Sequence, residues 1–342
     1  MSWYDGAKRD LPWRETKDPY CIWLSEIILQ QTRVDQGMPY YERFVAVFPT
    51  VHDLANATED EVLKLWEGLG YYSRARNLHA TAKFVAVELD GKFPSTHEGL
   101  LALKGIGPYT AAAIGSIAFN LAAAAVDGNV YRVLARFYGI SASIDDTSTK
   151  NEISRLANEI VTEERAGDHN QAMMELGATV CTPKQPSCKV CPLSVACAAY
   201  RLGLQSALPV RTKKTKVRER FFYYTIHLVD GQVPLKRRGD GDIWHGLYEF
   251  PLFESDCRLN EEDLIYKLVS NNQLLSISEE YKHILSHQRI LGQFLVLSGS
   301  TRPEGNYTWV NVNDLSKFAL PRLLNRYLEK SFFVINEEVS NL

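Results

Sequence analysis

Four of the six cysteines in this 342-residue chain fall within one short segment, as Cys181, Cys188, Cys191 and Cys197. The spacing C-x6-C-x2-C-x5-C brings four thiols into one loop, and the prolines of this loop reduce the entropy lost when it is ordered. Four thiolates can saturate a tetrahedral zinc ion or ligate an iron–sulfur cluster. The spacing therefore predicts a metal centre, and it leaves open which of the two metals binds.

Two carboxyl groups stand in contexts that favour opposite protonation states. Glu26 lies within the apolar stretch IWLSEIILQQT, and Asp127 opens the segment DGNVYRVLAR. Asp127 is suited to cap a helix N-terminus, where N–H donors keep a carboxylate ionised and lower its pKa. Glu26 either faces outward or faces a water-poor pocket, where burial would raise its pKa. Cleavage of a glycosidic C–N bond needs such a pair, because the leaving base takes a proton and the sugar becomes cationic.

A turn that contains glycine, LKGIGPYTAAAIG, separates two predicted helices. Gly105 and Gly107 permit positive φ angles and a close approach of the backbone to a ligand. The N–H groups at the start of the following helix are suited to bind a phosphate. The turn is therefore either a phosphate-binding hairpin or an ordinary corner between helices.

The chain changes character near residue 207. Up to residue 206, apolar residues recur at helical spacing, and segments such as YCIWLSEIILQQTRV, EDEVLKLWEGL and RARNLHATAKFVAVEL predict helices. Beyond it, FFYYTIHLV, QVPLKRR, ILGQFLVL and YTWVNV predict strands, and EEDLIYKLVSNN and LPRLLNRYLEK predict helices. We expect a helical domain over 1–206, a basic linker over 207–220 and an α+β domain over 221–342.

Composition limits the function classes. Hydrophobic residues make up 45% of the chain and charged residues 23%, which is typical of a globular protein. The sequence shows neither an apolar run of the roughly 20 residues that span a membrane nor a secretory signal, so we expect an intracellular protein without a membrane partner. The net charge of −3 argues against a general polyanion binder. The basic run RTKKTKVRER is either a solvated linker or a phosphate contact.

The chain resembles the adenine DNA glycosylases, the MutY family of the helix-hairpin-helix base-excision repair superfamily. The resemblance lies in WLSEIILQQTRV, GLGYYSRARNL, LKGIGPYTAAAIGS, VDGNVYRVLAR, NQAMMELGATVCTP and the four cysteines, and it covers essentially the whole chain. It implies a mainly α N-terminal half, with a six-helix lobe and an iron–sulfur lobe, and an α+β Nudix-like C-terminal domain. It also implies that the loop at 181–197 holds a [4Fe–4S] cluster.

The resemblance further implies an activity. The family's enzymes remove adenine mispaired with 8-oxoguanine or guanine by hydrolysis of the N-glycosidic bond, as a step of base excision repair. The expected partner is double-stranded DNA that contains such a mispair. We expect a cytoplasmic, nucleoid-associated monomer, with replication or repair proteins as candidate partners.

The catalytic residues follow by position in the matching motifs. Glu26 resembles the acid that protonates the adenine ring, and Asp127 resembles the carboxylate that stabilises the sugar cation. Tyr109 and Asn129 resemble supporting polar groups at the sugar. Related endonuclease III enzymes carry a lysine at the Tyr109 position and cut the strand through an imine, which tyrosine cannot form. We therefore expect weak or no AP-lyase activity.

The remaining expectations concern DNA. Gln30, Gln31 and Tyr71 fall where the family inserts side chains into the duplex to replace the extruded base, and Gly105 and Gly107 belong to the phosphate-binding hairpin.

The segment HILSHQ resembles a loop that senses 8-oxoguanine, with Ser286 and His287 at the sensing positions and Leu285 where many relatives have phenylalanine. The segment WHGLYEFP resembles a Nudix stretch, but the Nudix hydrolase signature is absent, which disfavours a pyrophosphatase. Two alternatives remain at this point: a pyrimidine glycosylase with lyase activity, and a lesion-binding protein without catalysis.

Overall fold

The computed structural model describes residues 1–213, 217–299 and 301–341, with the side chains of 332–341 left out. Contacts divide the chain into two compact units, and neither unit is one continuous segment. The first unit is Met1–Asn56 with Asn77–Lys213, and the second is Ala57–Arg76 with Lys214–Leu342. Part of the predicted linker, at 214–216, lies outside the described residues, and the domain boundaries stay a prediction.

The predicted helices and strands dominate their respective halves. The α-helices are α1 (Ser2–Ala7), α2 (Pro19–Leu29), α3 (Val34–Val47), α4 (Val51–Asn56), α5 (Glu59–Leu65), α6 (Ser73–Glu88), α7 (His97–Leu101), α8 (Pro108–Phe119), α9 (Gly128–Tyr138), α10 (Thr147–Ile160), α11 (Ala166–Thr179), α12 (Ala198–Arg201), α13 (Glu261–Leu268) and α14 (Arg322–Asn341). The strands are β1 (Arg218–Leu228), β2 (Gln232–Arg237), β3 (Tyr248–Glu249), β4 (Leu252–Ser255), β5 (Gln273–Ile277), β6 (Tyr281–Ile284), β7 (Gln288–Ser298) and β8 (Thr308–Asn311). This arrangement confirms the predicted fold class, a helical N-terminal half and an α+β C-terminal half.

Local chemistry fixes where α2 begins and ends. Asp18 caps the helix by accepting a hydrogen bond from the Tyr20 N–H at 2.9 Å, and Pro19 occupies the first turn, where its missing N–H costs nothing. The helix stops at Leu29, because Gln31 adopts a left-handed backbone with φ 55° that a right-handed helix cannot continue. The prediction of one helix over 20–34 was therefore too long at its C-terminal end.

The first unit packs around α2 and α8. Both helices are buried along most of their length, and α8 is rich in alanine, which lets neighbouring helices approach closely. One face of α9 packs on α10 through Val130, Leu134 and Ile153. Among the described residues, no helix is both long and apolar enough to cross a membrane.

Two sheets organise the second unit. The larger has the order β4-β1-β7-β5, with β6 also paired to β7, and β1 and β7 run parallel over their full length. The smaller has the order β3-β2-β8 and is antiparallel. Three buried aromatic rings stack in the core of the second unit. The ring centre of Phe294 lies 5.3 Å from that of Tyr224 and 4.0 Å from that of Tyr327.

Residues 57–76 join the second unit through polar contacts, which the sequence did not predict. Lys64 donates to the carbonyl of Phe318 at 3.0 Å, and Glu67 accepts from the Leu320 N–H at 2.7 Å. Arg76 donates to the carbonyl of His245. The spacing of apolar residues in this segment predicts only local helices. It cannot predict partners that lie more than 250 residues away.

Candidate active site

Glu26 faces the interior of the first unit. Its side chain is buried, with 8% exposure, and its Oε2 accepts a hydrogen bond of 2.7 Å from the Tyr109 hydroxyl. Burial raises the pKa of Glu26 to about 7, and the nearby Asp127 carboxyl adds to the rise while the Tyr109 hydrogen bond opposes it. A carboxyl group with this pKa is protonated in a large fraction of molecules at neutral pH, as a general acid must be.

Asp127 caps α9, as its sequence context predicts. Its Oδ1 accepts from the N–H groups of Asn129 and Val130, each at 2.8 Å, and its Oδ2 accepts from the Asn129 amide at 2.6 Å. The expected lowering of its pKa is wrong. Burial raises the pKa of Asp127, and the three hydrogen bonds oppose this without reversing it. The carboxylate of Asp127 therefore has its hydrogen-bond donors, but it is more buried than the sequence suggested.

The two carboxyl groups line one cavity. Its volume is about 160 Å³, close to the roughly 150 Å³ that admits benzene in an engineered core. Tyr109 and Asn129 also line it, so the structure brings together the four residues expected to act in catalysis. A planar heterocycle inserted here would contact both an acid and a hydrogen-bonded carboxylate.

The sequence analysis missed a second buried carboxyl group in this wall. Glu175 on α11 has a fully buried side chain, and Arg9 and Arg14 bind both its oxygens at 2.7–2.8 Å. Burial alone would raise the pKa of Glu175, but the hydrogen bonds from the two arginines lower it to about 2. An acidic residue in the otherwise apolar run AMMELGA was the available signal.

A wider groove continues from the cavity. Its volume is about 1100 Å³, and its wall includes Gln30, Gln31 and Gly107 together with Arg132. The side-chain amide of Gln30 donates to the Thr110 hydroxyl at 3.2 Å. Two of the three residues expected to enter the duplex, Gln30 and Gln31, thus line the same groove as Glu26 and Asp127.

The two glycines of the hairpin turn differ in backbone conformation and in the space around them. Gly105 has φ 79°, and a Cβ there would lie 2.8 Å from the Cβ of Asn77, so only glycine fits without strain. Gly107 has an ordinary φ of −93° and caps α8, and a Cβ there would meet no described atom within 4 Å. Positive φ is therefore needed at Gly105 alone, while Gly107 faces the groove.

The third expected wedge residue belongs to the second unit. Tyr71 is 47% exposed with φ 49°, and the Arg74 guanidinium lies 5.6 Å from its ring centre. Tyr71 lines a cavity of about 350 Å³ together with Ser286 and His287. These two residues are exposed in the turn between β6 and β7, with the Ser286 hydroxyl 3.1 Å from His287 Nδ1.

The four clustered cysteines line a common cavity in the first unit. Arg136 is 2% exposed and lies beside them, and it donates to Cys181 Sγ at 3.3 Å and to the carbonyls of Thr182, Pro183 and Leu208. Among the described residues, no group of three or more Cys, His, Asp or Glu is close enough to hold one metal ion.

Comparison with known proteins agrees with both halves of the chain. A model of the HhH-GPD superfamily of base excision DNA repair proteins matches residues 24–161, and a NUDIX domain model matches 223–330. The chain is 32% identical to the adenine DNA glycosylase of Buchnera aphidicola subsp. Acyrthosiphon pisum over 96% of its own length and 95% of that protein's. The chain belongs to the adenine DNA glycosylase family. It is an adenine DNA glycosylase of base excision repair, similar also to the Arabidopsis thaliana enzyme, at 41% identity over 77% of this chain and 47% of that one.

A solved structure resembles this chain in its fold. A trapped endonuclease III–DNA covalent intermediate matches with a TM-score of 0.51 at 23% identity, over 59% of this chain and 92% of that one. At this identity the likeness concerns the fold alone. In the adenine DNA glycosylase described here, the hairpin residue after the glycines and proline is Tyr109, which binds the acid Glu26.

Proposed function

We propose that the enzyme excises adenine mispaired with 8-oxoguanine, or with guanine, by hydrolysis of the N-glycosidic bond without cutting the strand. The observation that carries the proposal is the cavity of the first unit, where the buried Glu26, with its pKa near 7, lies with the N–H-bonded Asp127. The pair supplies a proton and a negative charge to the same small volume, as breaking the bond to a base requires.

The proton is held at a defined atom. Because the Tyr109 hydroxyl donates to Glu26 Oε2, Oε1 is the oxygen that we propose carries the proton to the leaving base. Asp127 faces the sugar with one negative charge, which stabilises the cationic transition state. Asn129 keeps this carboxylate oriented through its amide and its N–H group.

The proposal of base removal without strand cleavage rests on position 109. A lyase needs an amine that attacks the sugar and forms an imine, and a phenol cannot do this. Lys104 is exposed on the other side of the hairpin turn. Trapping with borohydride should therefore yield little covalent enzyme–DNA complex, and abundant trapping would contradict this part of the proposal.

Recognition of the opposite base is assigned to Ser286 and His287. Both are exposed hydrogen-bonding groups on the wall of the second unit's cavity, and Tyr71 is an exposed ring on the same wall. We propose that Tyr71, Gln30 and Gln31 enter the duplex, and that N–H groups near Gly107 bind a phosphate of its backbone. We further propose that the enzyme acts as a monomer at the bacterial nucleoid, in the cytoplasm, with replication and repair proteins as candidate partners.

The cysteines support a [4Fe–4S] cluster held by Cys181, Cys188, Cys191 and Cys197. The four thiols line one cavity in the first unit, and cysteine thiolates are the ligands that such clusters use. The buried guanidinium of Arg136 lies beside Cys181 and would face the negative charge of a thiolate-ligated cluster. When bound, the cluster supplies cross-links that order the loop, and the residues of the active-site cavity carry out the chemistry.

Single-turnover release of adenine tests the proposal. Duplexes with adenine opposite 8-oxoguanine, guanine or thymine would be compared for wild type, Glu26→Gln and Glu159→Gln, the last removing an exposed carboxyl on α10. We expect fast release opposite 8-oxoguanine, slower release opposite guanine, loss of both in Glu26→Gln and no change in Glu159→Gln. Equal release from all three duplexes, or an active Glu26→Gln variant, would refute it.

A further inference from the structure

One arginine links both walls of the second unit's cavity. Arg220 on β1 is 7% exposed and reaches acceptors on three separate segments. Its guanidinium binds both oxygens of Asp242 at 2.6 and 2.7 Å and both oxygens of Glu254 at 2.7 Å. It also donates to the side-chain oxygen of Gln288 at 3.0 Å. A buried guanidinium with this many charge-assisted bonds holds its partners in fixed positions.

One of these segments is residues 239–246, here called the Trp244 loop. Trp244 lies in it with φ 62°, an uncommon conformation for a bulky residue, and Gly241 also has positive φ. Asp242 fixes the loop, because it accepts from the Ile243 N–H at 2.7 Å and from Arg238 at 2.8 Å besides Arg220. Such strained backbone persists only where the surroundings over-determine it, and it concentrates at binding sites.

The Trp244 loop forms one wall of the cavity. Its members Asp242, Ile243, Trp244 and His245 line the space. The Trp244 ring is 8% exposed and meets Phe222 and His283 edge-on, with centroids 6.0 and 5.5 Å apart. The ring therefore transmits any shift of the loop to β6, which carries His283.

Leu285, Ser286 and His287 form another part of the wall, and residues 285–288 are here called the Ser286 turn. Leu285 donates its N–H to the Gln288 carbonyl at 2.8 Å, and the His287 carbonyl accepts from the Arg218 N–H at 3.1 Å. The bond from Arg220 to Gln288 thus reaches the end of this turn. Two walls that belong to different segments share one buried cation.

We infer that the Arg220–Asp242 ion pair is a positioning device, which sets the Trp244 loop against the Ser286 turn and so determines discrimination between 8-oxoguanine and guanine. The inference rests on the proposed function. The two bases differ by an oxygen on C8 and a proton on N7, so a site that separates them must hold its polar groups within about 0.5 Å. Arg220 and Asp242 act through the walls and do not themselves contact the base.

The chain offers a matched control. Glu254 on β4 binds Arg220 in the same two-oxygen manner as Asp242, yet Asp242 is among the described residues that line the cavity and Glu254 is not. Asp242→Asn and Glu254→Gln each remove one negative charge from Arg220 and keep the side-chain size. Asp242 also binds Arg238, so a purely structural role predicts that any change in preference follows the loss of stability in both variants.

The experiment measures the single-turnover rate of adenine release opposite 8-oxoguanine and opposite guanine. The enzyme concentration is varied from below to above the level that saturates the DNA. We expect Asp242→Asn to lose more thermal stability than Glu254→Gln, because it also weakens the bond from Arg238. Only Asp242→Asn should reduce the preference for 8-oxoguanine, by about tenfold, the scale of one charge-assisted hydrogen bond. The loss should appear in the enzyme concentration needed for half-maximal rate, and the rate at saturation should stay unchanged because the carboxyls of the first unit are intact.

The outcomes separate the two proposals. No adenine release by wild type would overturn both, whereas normal wild-type preference with equal preference in Asp242→Asn and Glu254→Gln would overturn the positioning role alone. Gln288→Met is the second variant, because it removes only the bond between Arg220 and the Ser286 turn and leaves both ion pairs. It should lower the preference several-fold, and unchanged preference in a folded Gln288→Met variant would refute the inference if Asp242→Asn does not fold.

Discussion

Replacing Glu26, the proposed catalytic acid, should stabilise the protein, and only at high pH. Glu26→Gln keeps the size of the side chain, and its amide oxygen can still accept the Tyr109 hydroxyl. The variant loses the ability to ionise inside a buried site. Wild type has to ionise Glu26 there as the pH rises, so the comparison isolates the free energy of that ionisation.

The structure gives the sign and size. Glu26 has a pKa of about 7 in the folded protein and an ordinary value of 4.5, so the folded state binds the proton more tightly than the unfolded state. This contribution to stability is full below pH 4.5 and is lost as the pH rises through 7. At about 1.4 kcal/mol for each pH unit, the loss is about 1 kcal/mol by pH 5 and about 3 kcal/mol by pH 8.

Calorimetric unfolding at pH 5 and pH 8 is the assay. We expect Glu26→Gln to gain roughly 4–8 °C over wild type at pH 8 beyond any difference at pH 5, since about 2 kcal/mol shifts the transition of a unit this large by that order. Glu175→Gln is the control in the same cavity. The pKa of Glu175 is lowered to about 2, so its ionised form stabilises the fold above pH 4.5 and is lost only as the pH falls through 2. This variant should lose about 3 kcal/mol equally at both pH values.

One result would refute the reasoning. That result is a Glu26→Gln variant that shifts the unfolding temperature by the same amount at pH 5 and pH 8. Ionisation of Glu26 would then not destabilise the folded state, and burial would not raise its pKa. A pH-dependent gain in Glu175→Gln would show that the pH effect belongs to the unit as a whole.

Three further predictions concern the first unit. Tyr109→Phe removes a hydrogen bond that lowers the pKa of Glu26, so the fall of the single-turnover rate at high pH should move to higher pH than in wild type, and a move to lower pH would contradict this. Cys188→Ser should abolish the broad absorption near ~400 nm expected of thiolate-bound iron, and it should lower the iron content measured on the same sample. Full absorption and iron in this variant would remove Cys188 from the ligand set. Gly105→Ala should destabilise the protein by about 1–3 kcal/mol in chemical denaturation because of its φ of 79° and the crowded Cβ, whereas Gly107→Ala should stay within about 1 kcal/mol of wild type. Equal losses in the two glycine variants would contradict the geometry.

The sequence predicted what depends on local chemistry. Asp127 as a helix cap and a glycine turn with positive φ follow from residue type and spacing, and both are found, although of Gly105 and Gly107 only Gly105 has positive φ. The pKa direction of Asp127 was missed because burial is set by side chains distant in sequence. The grouping of 57–76 with the second unit was missed for the same reason, since Lys64 and Glu67 find partners more than 250 positions away.

Glu175 shows most clearly why a catalytic acid cannot be identified from burial alone. It lines the same cavity as Glu26 and is at least as buried, but two guanidinium groups bind its carboxylate and fix the charged form. Glu26 has the Tyr109 hydroxyl as hydrogen-bond donor, and this neutral dipole compensates burial only in part. The charge state of each glutamate therefore follows from its partner and not from its depth. An arginine brought to Glu26 would lower its pKa, and the cavity would then hold carboxylates without an acid to protonate the leaving base.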